Sequence, residues 1–212
     1  MDKLKHSQVE LIVKTMIDTA IKNEAYFSEL DAVMGDADFG VSLAGGFRAV
    51  SKEWESFDMS SIGSFLLNVS SVITRNTGGC SGPVWGTLFM RCGMAFRGKT
   101  ELTLEEIITA LKNAMDGISK RGGAVVGDKT LLDALNSIVV SLEESLSESE
   151  MLLDAFKKAA AAAYETRELT KGWVAKRGRQ SFTGERSKGT YDPGIIAVGD
   201  MALAICEALS AQ

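Results

Sequence analysis

The chain is poor in histidine, proline and cysteine, and each shortage narrows what it can do. One histidine, His6, stands in 212 residues, so His-based zinc sites and Ser-His-Asp machinery lack material. The three cysteines, Cys80, Cys92 and Cys206, are scattered and form no C-x-x-C pair. An odd number of separated thiols suits a reducing compartment better than a disulfide framework. With only two prolines, long stretches are free to be helical. Excess positive charge is missing too: 23 Lys and Arg against 28 Asp and Glu leave a net charge of −5, which argues against non-specific nucleic-acid binding. The opening MDKLKHSQVELIVK lacks the apolar centre of a signal peptide, and no apolar run long enough to cross a bilayer is read anywhere. A cytoplasmic chain without nucleic-acid or membrane partners is expected.

What is present reads as helix. Hydrophobic residues make up 45% of the chain and charged ones 24%, the balance of a globular domain, and residues 1–212 read as one nucleotide-binding domain. Apolar positions recur at helical spacing, as in Leu104, Ile107, Ile108 and Leu111. Capping boxes, in which a hydroxyl and a carboxylate satisfy first-turn amides, are read at Ser7–Glu10, Thr103–Glu106 and Ser147–Glu150. Eight helices are predicted over 7–26, 40–55, 60–75, 82–97, 103–120, 129–146, 148–168 and 193–210, with no strand. The alanine tract 159–163 reads as a close-packing helix surface. Glycine gathers in 35–46, 78–86, 117–127 and 172–199, mostly between helices, which suggests junctions that meet at one end.

Four segments carry candidate chemistry. In LDAVMGDADFG, Asp31, Asp36 and Asp38 crowd three carboxylates into eight positions without a compensating cation. Such crowding is costly unless a cation sits among them, and oxygen-only donors favour Mg²⁺, the usual companion of phosphates. An EF-hand is excluded because its twelfth position would be Phe47 or Ser42 rather than glutamate. An acidic turn in which Asp38 merely caps a helix is the plain alternative. In NTGGCSGP, a glycine turn feeds a helix start with Pro83 in its first turn, and offers free amides to an anion, with Thr77 and Ser81 as hydroxyl donors. RGGAVVGDKTLLD looks like a Walker loop but has Asp128 between glycine and lysine and no preceding strand, so a P-loop is rejected; a loop beside a nucleotide, or a simple helix cap, remains. Finally, 176–194 lacks helical period and holds several Lys and Arg residues in an acidic chain, as expected of a basic loop that closes on polyphosphate.

These segments together resemble the ADP-binding L subunit of dihydroxyacetone kinases, equivalently the C-terminal nucleotide domain of the single-chain ATP-dependent enzymes. That family's pattern runs close to GDGDHG, GGxSGxxxG, GGAxxGD[KR]T and [KR]GRxS[YF]xGERSxGxxDPG. Here the corresponding stretches are GDADFG, GGCSGPVWG, GGAVVGDKT and RGRQSFTGERSKGTYDPG, in the same order and spread over the whole chain. The resemblance implies an all-α, antiparallel eight-helix barrel with the nucleotide, ADP or ATP, at one end. It implies that Asp31, Asp36 and Asp38 hold Mg²⁺, two ions in the family, and that Thr77, Gly79 and Ser81 form the phosphate turn. Gly122, Gly127 and Leu131 fall at the adenine pocket, Arg179 at the phosphate-contacting catalytic position, and Asp192 and Gly194 in the loop that closes the base site.

Two positions depart from that pattern: Ala37 stands for glycine, expected to add only a methyl group, and Phe39 for histidine, removing a polar group beside the metals. The resemblance further implies a separate K subunit that holds the ketose, since this chain has no histidine to substitute. A phosphohistidine protein of the M type would recharge the bound nucleotide. Self-association into a homodimer is left open, as are two other readings: a kinase subunit for a tetrulose, and a regulatory module docking on a transcription factor.

Overall fold

The computed structural model describes residues 2–212 and contains nine α-helices. They are α1 (His6–Lys22), α2 (Glu24–Ala32), α3 (Phe39–Glu53), α4 (Ile62–Asn76), α5 (Ser81–Ala95), α6 (Leu104–Gly122), α7 (Leu131–Ser147), α8 (Leu152–Lys171) and α9 (Pro193–Ser210). Eight of them form a closed ring: α1 packs on α3, each later helix packs on the next, and α9 returns to α1. α2 is the addition to the eight expected, lying against α3 and α9 outside the sequence of neighbours. It forms because the chain turns at Asn23, whose amide donates to the Thr19 carbonyl at 3.1 Å, and then buries Phe27 completely.

A short antiparallel pairing, β1 (Leu4–Lys5) with β2 (Glu101–Leu102), was not expected from the sequence; two residues are too few to show a period. It lies at the end opposite the glycine-rich junctions. There the His6 amide donates to the Thr100 carbonyl at 3.0 Å and the Ile62 amide to the Lys99 carbonyl at 2.8 Å. The helix starts show where local patterns succeed. Thr103 and Glu106 do form a capping box, and so do Thr130 and Asp133. The box read at Ser147 does not form: α7 runs through Ser147, whose hydroxyl donates to the Glu144 carbonyl, and α8 begins at Leu152. α1 starts from Lys5, whose amide is satisfied by the Gln8 side chain at 2.9 Å, rather than from Ser7.

The inner faces supply the core. Phe47, Trp85 and Phe89 stack edge to face, while Ala159, Ala160 and Ala163 on α8 let α7 and α9 approach closely. The lumen retains an apolar cavity of about 240 Å³, walled by residues such as Val13, Leu88, Ile138 and Met201. α9 is interrupted by Asp200 and Glu207 and so holds no unbroken apolar run, although by length and composition alone it is apolar enough to cross a membrane. In the ring it is half buried as part of the wall. Burial pushes the Cys92 and Cys206 thiols up to about 12 and about 11, so neither is a ready nucleophile.

Candidate metal and nucleotide site

The acidic segment follows α2. Asp31, in its last turn, is 7% exposed. Its Oδ2 accepts the amides of Asp38 and Phe39 at 3.0 and 3.3 Å, capping α3 from a preceding helix. Gly35 is required beside it, because any Cβ there would collide with the Asp31 carboxylate. Asp36 and Asp38 are exposed, and one oxygen from each of the three carboxylates lies within 4.8 Å of the others. An all-oxygen donor set this compact fits Mg²⁺. Partial burial, followed by the charges of Asp36 and Asp31, raises the Asp38 pKa, while Arg179 opposes the rise. Like charges beside a carboxylate disfavour its ionised form, and a bound cation would oppose that.

The turn carries strain at one of the two departures. Ala37 has φ +62°, a left-handed conformation that costs a residue with a Cβ about 1 kcal/mol or more. The expectation that Ala37 merely adds a methyl is therefore corrected: the methyl sits on backbone that favours glycine. Phe39 packs its ring edge-on to Phe27, with centroids 6.2 Å apart.

The second segment lies against the first. A Cβ on Gly78 would meet Ser42 Oγ in the first turns of α3 at 2.9 Å. Gly79, at φ +59°, opens the turn, and Ser81 begins α5, whose start has no side-chain cap for its first amides. Thr77, expected in the phosphate turn, is buried at the end of α4. Its hydroxyl is buried without a partner and wedged against α3, where a side chain on Gly46 would strike it.

The third and fourth segments are interlocked. Gly127 donates its amide to Asp133 Oδ1 at 2.6 Å, and Thr130 donates to Oδ2 at 2.7 Å. Leu131 touches the position a Gly194 side chain would occupy, as does Asp192 Oδ1. Asp192 caps α9 through the Ile195 amide at 2.9 Å; burial pushes its carboxyl up to about 7. Leu131, Asp192 and Gly194 thus share one wall, whereas Gly122 is exposed at the end of α6. The basic loop is not the irregular stretch expected: Arg179–Ser187 forms tight 3-10 turns with a kink at Gly184. From this loop Arg179 reaches Asp36 at 2.7 Å, which joins the basic and acidic segments into one site.

Sequence reasoning passed over Lys129, Gln180 and Ser187. Each is fully or almost fully buried, although all three sit in polar segments that read as surface. Their only signal was position inside the glycine-rich motifs.

The DAK2 domain family matches residues 33–207. The chain belongs to that family. It is 35% identical over 173 residues to the ADP-binding subunit of the PEP-dependent dihydroxyacetone kinase of Escherichia coli K12, covering 82% of each chain. Against the corresponding subunit of the PTS-dependent kinase of Lactococcus lactis it is 34% identical, again covering 82% of each. The solved dihydroxyacetone kinase of C. freundii superposes with a TM-score of 0.70 at 24% identity, covering 95% of this chain and 34% of the kinase. A second structure of that enzyme, in complex with AMP-PNP and Mg²⁺, gives 0.68 at 23% identity, covering 95% and 33%. At those identities the solved structures speak for the fold of this DAK2-domain chain: an all-helical barrel that corresponds to about a third of the larger kinase.

Proposed function

We propose that this chain is the nucleotide-carrying subunit of a dihydroxyacetone-type kinase, passing a phosphoryl group from Mg-bound ADP or ATP toward a ketose held on a partner K subunit. The observation that carries this reading is the meeting of Asp31, Asp36 and Asp38 with Arg179 beside the start of α5. Asp31, Asp36 and Asp38 would hold magnesium, two ions by resemblance, which supplies neutralisation of the phosphate charge. The residues of the chain do the rest. The amides of Gly79 and Ser81 receive phosphate oxygens at a helix start. Arg179, freed from Asp36, grips the transferring phosphate bidentately. Leu131 and Gly194 pack beside the base, and Asp192 holds that wall in place through its cap on α9.

No side chain here suits covalent capture of a ketone. His6 lies at the far end of the barrel beside Phe65, with ring centroids 5.9 Å apart. The acceptor therefore belongs on the K partner, and relatives named as subunits of PEP- and PTS-dependent kinases favour an M-type phosphohistidine protein as the source of the phosphoryl group. Phe39 packs on Phe27 and gives no support to a tetrulose acceptor.

The test is mass spectrometry of nucleotide released from gently purified chain, with calorimetry of ADP binding in excess Mg²⁺ and after chelation. Retained ADP and metal-dependent binding are expected. Correctly folded chain that takes up no adenine nucleotide overturns the reading.

A further inference from the structure

Lys129 is 0% exposed and yet carries an ammonium group. No carboxylate lies within ion-pairing distance of it among the described residues. Instead its Nζ donates to three backbone carbonyls: Lys171 at 3.4 Å, Trp173 at 3.1 Å and Ser187 at 2.7 Å. The first two open the long segment between α8 and α9, and the third closes its 3-10 turns. Burying an ammonium in this way costs several kcal/mol before its hydrogen bonds are counted, and Lys129 also adopts φ +63°, a further strain. Burial lowers its pKa, against the opposing charge of Asp192. Two costs at one residue call for a return elsewhere.

The surroundings show what is held. The Ser187 hydroxyl accepts the Ala175 amide at 2.9 Å and donates to the Gly184 carbonyl at 2.6 Å. The Gly189 amide returns to the Lys171 carbonyl at 2.8 Å. On the other side of the same dipeptide, the Asp128 carbonyl accepts the Lys176 amide at 3.0 Å and its carboxylate faces Arg177 Nε at 3.5 Å. The segment so gripped carries Arg179 to Asp36.

We propose that Lys129 is the positioning residue of the site: by tying together the Lys171, Trp173 and Ser187 carbonyls it folds the 172–190 segment shut and so sets Arg179 over the acidic cluster. Its relevance to nucleotide rests on the function proposed above; the tie itself does not.

Lys129→Met keeps the length of the side chain and removes the donors, and Lys129→Arg restores donors. Limited trypsin digestion, read by mass spectrometry, reports the loop directly, since Lys176, Arg177, Arg179, Arg186 and Lys188 are all exposed. Lys129→Met is expected to speed cleavage at 176–188 by about tenfold or more, the factor that 1.4 kcal/mol of lost closure gives. Cleavage elsewhere should stay unchanged, Mg·ADP affinity should fall by a similar factor, and Lys129→Arg should recover both.

Loop cleavage at the wild-type rate overturns the proposal, and so does faster loop cleavage with unaltered Mg·ADP affinity, because the tie would then not position the site. If Lys129→Met fails to fold, hydrogen exchange on the unaltered chain decides: the Ala175, Lys176 and Gly189 amides should be protected, and exchange at free-peptide rates overturns the tie. Wild-type chain that binds no Mg·ADP would refute the proposed function, while the cleavage ratio would still judge Lys129.

Discussion

The barrel wall and its glycine-rich end are built from opposite materials. In the wall, stability comes from apolar surface: Phe47, Phe65, Leu43 and Ile73 are fully buried among other hydrocarbons. At the site end the buried groups include Asp31, Asp128, Lys129, Asp133 and Ser187, and two junction residues other than glycine, Ala37 and Lys129, take positive φ beside several glycines. The wall gains free energy as it packs. The site end spends some of it, holding carboxylates close together and an ammonium out of water. The comparison teaches that the ring of helices is the rigid frame and that the strained, charged junctions are tolerable because the frame over-determines their geometry.

The strongest way to break this division is inside the wall. Phe47→Ala should cost about 3–5 kcal/mol of stability, measured by denaturant unfolding, while the chain that remains folded binds Mg·ADP with unchanged affinity. A parallel loss of affinity would mean that wall and site are one cooperative unit.

A smaller effect is expected at the junctions, with opposite signs for two ligands. Arg179→Gln removes the counter-charge from Asp36. Mn²⁺ alone, followed by electron paramagnetic resonance, should bind a few-fold tighter, in keeping with about 0.2–1 kcal/mol for an exposed ion pair. Mg·ADP should bind about tenfold weaker or worse, since charged hydrogen bonds to phosphate carry about 1.5–3 kcal/mol. Both affinities moving in one direction would show that Arg179 does not exchange Asp36 for phosphate.

Next comes Ala37→Gly. Relief of the left-handed methyl should stabilise the metal-free chain by about 1 kcal/mol in thermal unfolding, and no gain would show that the turn is not strained in solution. A separate test is one of pH dependence. Asp192 titrates near 7 in the fold against 3.8 ordinarily, so the folded state binds the extra proton between those values. Its contribution is therefore fully present below about 4 and is lost as pH rises through 7. Asp192→Asn retains an oxygen for the Ile195 amide and should flatten that part of the stability profile; an unaltered slope would remove Asp192 as its source.

The site was legible in proportion to how local its chemistry is. Asp31, Asp36 and Asp38 lie within eight positions, so their spacing alone offered a candidate cation site, and Thr103 with Glu106 marked a helix start. Local patterns also misled. Ser147 and Glu150 have capping spacing, but Ser147 is the last residue of α7 and α8 begins only at Leu152. A residue such as Lys129 could not be read, because lysine in a polar glycine-rich motif is ordinarily solvated.

The sequence by itself determined the helices and the inventory of groups that could serve a metal and a phosphate, because periodicity and ligand type are properties of neighbouring residues. Only the tertiary structure decided that Arg179 lies on Asp36, that Lys129 closes a segment more than forty residues away, and that Ala37 is strained. Those facts depend on which helix ends meet, and the ring closes through contacts between α1 and α9, whose distance along the chain leaves no local trace.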